Sequence, residues 1–284
     1  RKQVYSGGGS TVATYTIIRA KNTTIPLPPL EEQKRIVAKI DTLFAKIDKA
    51  ISLTEESLKQ AKNLLPSVLK EVFENLDSPK SSLSEFCSDA KKHMVGGPFG
   101  SNLKATEYVD KGYPIIRLQN VNRFDFIEKN IKFVTQEKAE FLKSHSYVSG
   151  DIVLTKLGAP LGKCCIVKKV CGIDRGVISA DIVRIRINEK ENIKEFVVAG
   201  INSEVIRKQM VSKTQGTTRP RVTLKELRQM ILPKPSYEEQ LIIVEKIKYL
   251  KDESKQTQSK LKEQLRYLTQ LKSSILSQAF KGEL

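Results

Sequence analysis

The chain has 284 residues, room for about two structural units, and its 49 Lys and Arg against 32 Asp and Glu give a formal net charge of +17. That excess favours a polyanionic partner, most simply nucleic acid. No apolar run approaches the ~20 residues of a membrane span, and no charged-then-apolar leader opens the chain, so the expectation is a soluble, cytoplasmic protein.

Residues 1–24 begin at Arg1 rather than at methionine, which reads as a fragment or a processed chain. They contain Gly7, Gly8, Gly9 and Ser10, a spacer-like run. The same residues also align, at one constant offset, with a stretch much further along: Gly9 with Gly216, Thr11 with Thr218, Thr16 with Thr223, and Lys21 with Arg228. On that alignment they are the tail of a second copy of the middle domain.

The offset continues into the strongest repeat of the chain. IPLPPLEEQKRIVAKI, from Ile25 to Ile40, matches LPKPSYEEQLIIVEKI, from Leu232 to Ile247, without a gap. In each copy prolines hold the backbone extended up to an acidic pair, Glu31 and Glu32 or Glu238 and Glu239. A helix starts there, because two carboxylates in the first turn oppose the positive end of its dipole. Apolar residues then recur at spacings of three and four. The first seam is Ile36, Ile40, Leu43, Ile47, Ala50, Thr54, Leu58, Ala61, Leu65, Val68 and Val72. The second is Ile243, Ile247, Leu250, Ser254, Thr257, Leu261, Leu265, Leu268, Lys272, Ile275 and Ala279. One apolar stripe on a helix about 40 residues long, roughly 60 Å, needs a partner. One helix enters the middle segment and the other leaves it, so an antiparallel coiled coil follows if that segment is compact. Pro66 should bend or divide the first helix, and Asn75 to Ser82 reads as a hinge.

The chain therefore divides into residues 1–24, a first helix region at 25–76, a globular segment at 80–230 and a second helix region at 231–284. The globular segment holds 27 Lys or Arg against 16 Asp or Glu, most of the excess charge. Strand-like runs appear at Tyr113–Leu118, Asp151–Leu157, Lys163–Val170 and Val177–Ile187, and helical periodicity at Gln136–Lys143 and Ile193–Val211. The fold class is α+β: a mixed globular domain flanked by two long helices.

Four stretches of this segment carry side chains suited to DNA. GGPFGSNL, from Gly96 to Leu103, follows Lys91 and Lys92. It reads either as a glycine turn closing a hairpin or as a loop whose amides approach phosphate while Ser101 and Asn102 reach DNA. RLQNVNRF supplies Arg117, Gln119, Asn120, Asn122 and Arg123, residue types able to read purine edges. GAPLGKC has the outline of a phosphate loop, yet Cys164 stands where a magnesium-binding hydroxyl is needed and a β-rich run follows. It is better read as a tight turn that places Lys156 and Lys163 at a strand end. KTQGTTRPRVT is the densest, alternating Lys213, Arg219 and Arg221 with Gln215, Thr217 and Thr218.

No catalytic motif is recognisable, so no catalytic residue and no cofactor are expected. Cys87, Cys164, Cys165 and Cys171 do not have zinc-ligand spacing, and no metal site is expected; reduced, partly buried thiols are.

Taken together, PLPPLEEQ with its helix, GPFGSNL, GDIVLTKLGAPLGK, QGTTRPRVT and the closing SILSQAFKGEL resemble the DNA-specificity subunit of type I restriction-modification enzymes. The resemblance covers nearly the whole chain. It implies target-recognition domains that each read half of a bipartite double-stranded DNA site, with the paired helices as spacer. It further implies DNA methyltransferase subunits as partners, restriction subunits in the full complex, and a non-catalytic role. This sequence departs from that pattern by carrying one complete recognition domain and only a tail of the other, which makes a homodimer of the shortened chain a candidate assembly. The alternatives are a basic nuclease or methyltransferase with an unrecognised site, and a coiled-coil scaffold.

Overall fold

The computed structural model describes residues 17, 21, 22, 27–158, 160–214 and 220–284. In chain order the elements are α1 (Leu30–Asn75), β1 (Lys80–Ser82), α2 (Ala90–His93), β2 (Met94–Gly96), β3 (Tyr113–Ile116), β4 (Lys132–Val134), α3 (Gln136–Phe141), β5 (Ser146–Val148) and β6 (Ile152–Thr155). There follow β7 (Cys164–Ile166), β8 (Arg175–Ile178), β9 (Ile182–Ile185), α4 (Lys194–Ile201), α5 (Glu204–Ser212), α6 (Leu224–Arg228), β10 (Ile231–Pro233) and α7 (Tyr237–Lys281). The chain forms two compact units, one of residues 62–255 and one of residues 1–61 with 256–284. Among the described residues no helix is long and apolar enough to cross a membrane.

In the smaller unit α1 and α7 pack antiparallel. Gln258 donates to the Ala61 carbonyl (3.5 Å), Lys272 pairs with Asp48, and Arg35 and Lys39 donate to the Leu284 carbonyl (3.2 and 3.1 Å). Numbers fall along one helix as they rise along the other, the signature of an antiparallel coiled coil. Ile47 and Ile275, in this part of the seam, are each 6% exposed. Burying such a side chain stabilises by about 1.5–3 kcal/mol. The expected seam needs one correction: Thr257 is exposed and Gln258 is half-buried in its place. After Ser254 the spacing runs four then three, not three then four.

Pro66 does not divide α1, which runs unbroken through it. Pro66 and Lys62, whose carbonyl loses its helical donor, both lie on the exposed face, so the missing bond falls on the solvent side of the helix. One turn further on, Leu69 and Phe73 are each 2% exposed and anchor the helix in the core of the larger unit. The supposed hinge is partly a strand as well, since Lys80–Ser82 pairs antiparallel with Ile231–Pro233.

The larger unit is built on two four-stranded sheets, ordered β2-β9-β6-β7 and β4-β3-β8-β5. The first is antiparallel throughout; in the second β3 and β8 run parallel. The run Val177–Ile187, expected as one strand, is two, because the chain leaves one sheet after Ile178 and enters the other at Ile182. Gly97 packs against this crossing. A Cβ there would lie 1.9 Å from the Ser179 carbonyl oxygen, so only glycine fits. The helix expected over Ile193–Val211 is likewise two, α4 and α5, since the Asn202 side chain turns back to bond the Val198 carbonyl (2.9 Å) and Ser203 starts the next helix. The main core gathers Phe86, Ile152, Leu154, Phe196 and Leu232 with Leu69 and Phe73 from α1 and Ile247 from α7.

Candidate nucleic-acid interface

Strand register brings two of the four sequence stretches to one end of the β2-β9-β6-β7 sheet, and backbone bonds bring a third. Gly96 lies opposite Val183, Thr155 opposite Ile182, and Leu154 opposite Cys164. The end of β2, the end of β6 and the starts of β7 and β9 therefore coincide. From that end project the glycine turn after Gly96, Lys156, Lys163 and Asp181. The expectation that GGPFGSNL closes a hairpin is not met, because among the described residues β2 pairs only with β9, and the chain runs on through an exposed turn.

The segment before α6 completes the cluster. Val222 N–H donates to the Lys156 carbonyl (3.0 Å), Leu157 and Arg221 face each other in an antiparallel bridge, and Gly158 N–H reaches the Pro220 carbonyl (3.4 Å). This places the exposed Arg221 beside Asp181, and the two form an ion pair. Lys156 N–H donates to the Asp181 carbonyl (3.0 Å). Burial, then the neighbouring Arg221 charge, holds the Lys156 ammonium below the ordinary lysine value, while Asp181 pulls it the other way. Lys163 is half-buried, its N–H donating to Thr155 Oγ1 (3.0 Å). Ser101 and Asn102 sit exposed in a single turn after Phe99, itself 84% exposed.

Other expected residues lie at the far end of β2, serve the fold, or sit in a loop tied to the start of β7. Lys91 and Lys92 belong to α2, at the opposite end of β2 from Gly96, where Asp89 accepts from both of their amides (2.9 and 3.3 Å). Asn120 is a correction. It is 0% exposed; its side-chain oxygen accepts from Arg117 N–H (3.0 Å) and its amide donates to the carbonyls of Ile127 and Lys129 (both 3.0 Å). A base edge finds no free group on it. The Arg117 guanidinium donates to the Asn130 carbonyl and lies over the Tyr108 ring (5.9 Å). Gln119 is exposed, and Asn122 and Arg123 are half-buried. Their loop fastens to the start of β7, at this same end of the sheet, where Phe124 N–H donates to the Cys164 carbonyl (2.9 Å). Lys213 is half-buried after α5, near Glu226. Gln215, Thr217, Thr218 and Arg219 lie outside the described residues.

Two groups at the sheet end were not anticipated. His145 Nδ1 lies 2.7 Å from the Gly96 carbonyl oxygen, to which it donates. Asp181 was hidden inside an apolar run taken for one strand. A break signal was present in Ser179 and Ala180, small residues that interrupt the β-branched pattern. The resulting surface has donors from lysine, arginine and serine, an exposed turn at residues 99–102, and the Asp181 carboxylate. Such a set suits an acceptor-rich polyanion.

The profile of the type I restriction modification DNA specificity domain matches residues 2–60 and 67–267. The chain belongs to that family. Among its relatives, the EcoBI specificity subunit of Escherichia coli is 25% identical over 93% of this chain, and the MjaVIII specificity subunit of Methanocaldococcus jannaschii 28% identical over 86%. This specificity-domain chain spans 59% of the length of each. Two solved structures share its fold. One, described as the structural basis of complex assembly and conformational transition of the type I R-M system, superposes with a TM-score of 0.76 at 22% identity, over 100% of this chain and 68% of the other. The second, the HsdS subunit from Thermoanaerobacter tengcongensis, gives 0.61 at 21% identity, over 99% and 66%. The specificity-domain fold thus comprises an α+β unit and two long helices, as the sequence pattern predicts.

Proposed function

We propose that this chain is the sequence-specific, non-catalytic DNA-recognition subunit of a type I restriction-modification complex. It directs methyltransferase and restriction subunits to double-stranded DNA in the cytoplasm. Residues 80–230 serve as the target-recognition domain, the helix regions at 25–76 and 231–284 as spacers, and residues 1–24 as the tail of an upstream recognition domain. The observation that carries this reading is the convergence of Lys156, Lys163 and Arg221, with the start of the glycine turn that leads on to Ser101 and Asn102, at one end of a single sheet in a chain of this family. Titrating labelled duplex with the purified chain at rising salt tests it. Affinity should fall linearly on a log–log plot, with a slope of roughly −0.9 per phosphate neutralised. Binding that is absent or salt-independent overturns it, and turnover of DNA by the isolated chain favours a basic DNA-processing enzyme instead.

The duplicated helix start supports a symmetric assembly in which two copies present two identical recognition domains to a palindromic bipartite site. Mass measurement across concentration, with and without methyltransferase, decides this; a strict monomer in all conditions excludes it.

A further inference from the structure

We propose that Arg221 and Asp181 together read one G·C base pair in the major groove. Arg221 donates to guanine N7 and O6, and Asp181 accepts from the N4 amino group of the paired cytosine. The inference rests on the DNA-recognition reading above and adds to it a positioned acceptor and the base pair it selects.

Three observations carry it. First, the pair is accessible, with the Arg221 side chain 53% and the Asp181 side chain 24% exposed. It is not a core bridge that a ligand would have to break open. Second, both partners spring from backbone tied to the same residue. The Asp181 carbonyl accepts from Lys156 N–H, and Val222 N–H, next to Arg221, donates to the Lys156 carbonyl, each at 3.0 Å. The guanidinium is held by one nitrogen, Nη2, on one carboxylate oxygen, Oδ1. Among the described residues, neither its other donors nor the second carboxylate oxygen has a further hydrogen-bond partner. Third, the chemistry distinguishes a base edge from a phosphate. A phosphate offers acceptors only and is repelled by the carboxylate. A G·C pair offers two adjacent acceptors on guanine and a donor on cytosine, the complement of an arginine fork beside a carboxylate. An A·T pair in the same position places a donor, adenine N6, where the fork needs an acceptor.

The test is selection from a random duplex pool by the full chain, as wild type, Asp181→Asn and Arg221→Lys. Affinities are then measured on the selected duplex and on duplexes carrying single base-pair swaps. The wild type should select a G·C pair whose swap to A·T costs roughly 5- to 150-fold, the range of a paired base contact. Asp181→Asn should shrink that penalty severalfold and at the same time tighten binding to non-specific duplex, since it removes a negative charge. A merely structural role moves neither in that way. Arg221→Lys keeps the charge but loses the planar fork, and should lose the same discrimination. Unchanged penalties at every position in both variants, with a selective wild type, overturn the inference and leave the DNA-recognition reading standing. A wild type that selects nothing overturns both. Should Asp181→Asn fail to fold, Arg221→Lys at its exposed position carries the comparison.

Discussion

The side-chain amide of Gln240 donates to the carbonyl oxygen of Pro235 across 3.1 Å, and Gln33 makes the same bond to Pro28 across 2.8 Å. The four residues are equivalent positions of the sequence repeat, so the duplication preserves a helix-start lock as well as a pattern. The copies differ in surroundings. Gln240 is fully buried, accepts from Ile193 N–H (2.9 Å) and also donates to the Glu191 carbonyl (3.2 Å). Removing it strands a buried amide, which costs about 1–3 kcal/mol. Gln240→Ala should therefore destabilise the chain by that amount, and Gln33→Ala by less. Denaturant midpoints of the two variants measure it, and equal losses contradict the assignment.

The antiparallel seam makes a geometric prediction. Cysteines replacing Asp48 and Lys272, whose side chains pair, should cross-link rapidly, whereas cysteines replacing Asp48 and Gln258 should not. The exposed Cys171 is replaced by serine in both variants. A core change in the same seam, Ile275→Asp, places an unpaired carboxylate where the isoleucine is 6% exposed. It should cost at least 3 kcal/mol, visible as a lowered melting midpoint by circular dichroism. Equal cross-linking of both cysteine pairs would sink the antiparallel register.

Asn120 offers a test of a structural role against a reading role. Asn120→Ala leaves Arg117 N–H and the carbonyls of Ile127 and Lys129 without their partner. The expected result is a loss of about 1–3 kcal/mol, with the base preference of the folded fraction unchanged. A shifted preference at unchanged stability would return Asn120 to the interface.

The long helices were legible in sequence because spacings of three and four recur over many turns, and only the Thr257/Gln258 step escaped that count. Loop chemistry was legible in part. Glycines marked the turns that meet at the sheet end, but pairing β2 with β9 and β3 with β8 joins residues far apart in the chain. No local pattern carries that information. Val177, Ile178, Ile182, Val183 and Ile185 are all fully buried, so hydropathy runs on through the crossing between sheets and conceals Asp181. Asn120 shows the converse. A residue type suited to reading purines is equally suited to closing its own loop, and only its three hydrogen bonds tell the two apart.

The cysteines give a prediction in pH. Burial pushes the Cys87 thiol up to about 11 and Cys165 up to about 12, and Cys164 well above its ordinary value. Cys171 is exposed, and desolvation followed by its hydrogen bond to Glu128 raises it more modestly. At pH 8 iodoacetamide should therefore label Cys171 alone in the native chain, and more slowly than a free thiol, since the thiolate is the nucleophile. Glu128→Gln should lower that thiol toward its ordinary value and speed the reaction; mass spectrometry of the alkylated peptides reads both. The sign for stability follows from the same shifts. The buried thiols have folded-state values above their unfolded ones, so their contribution is complete below about pH 8.5, the ordinary thiol value, and declines as pH rises toward the folded values. Denaturant midpoints should accordingly fall between pH 8.5 and 11, and fall less in a Cys165→Ala variant. Native-state labelling of Cys164 or Cys165 at pH 8 would show that the sheet holding them opens far more readily than its burial implies.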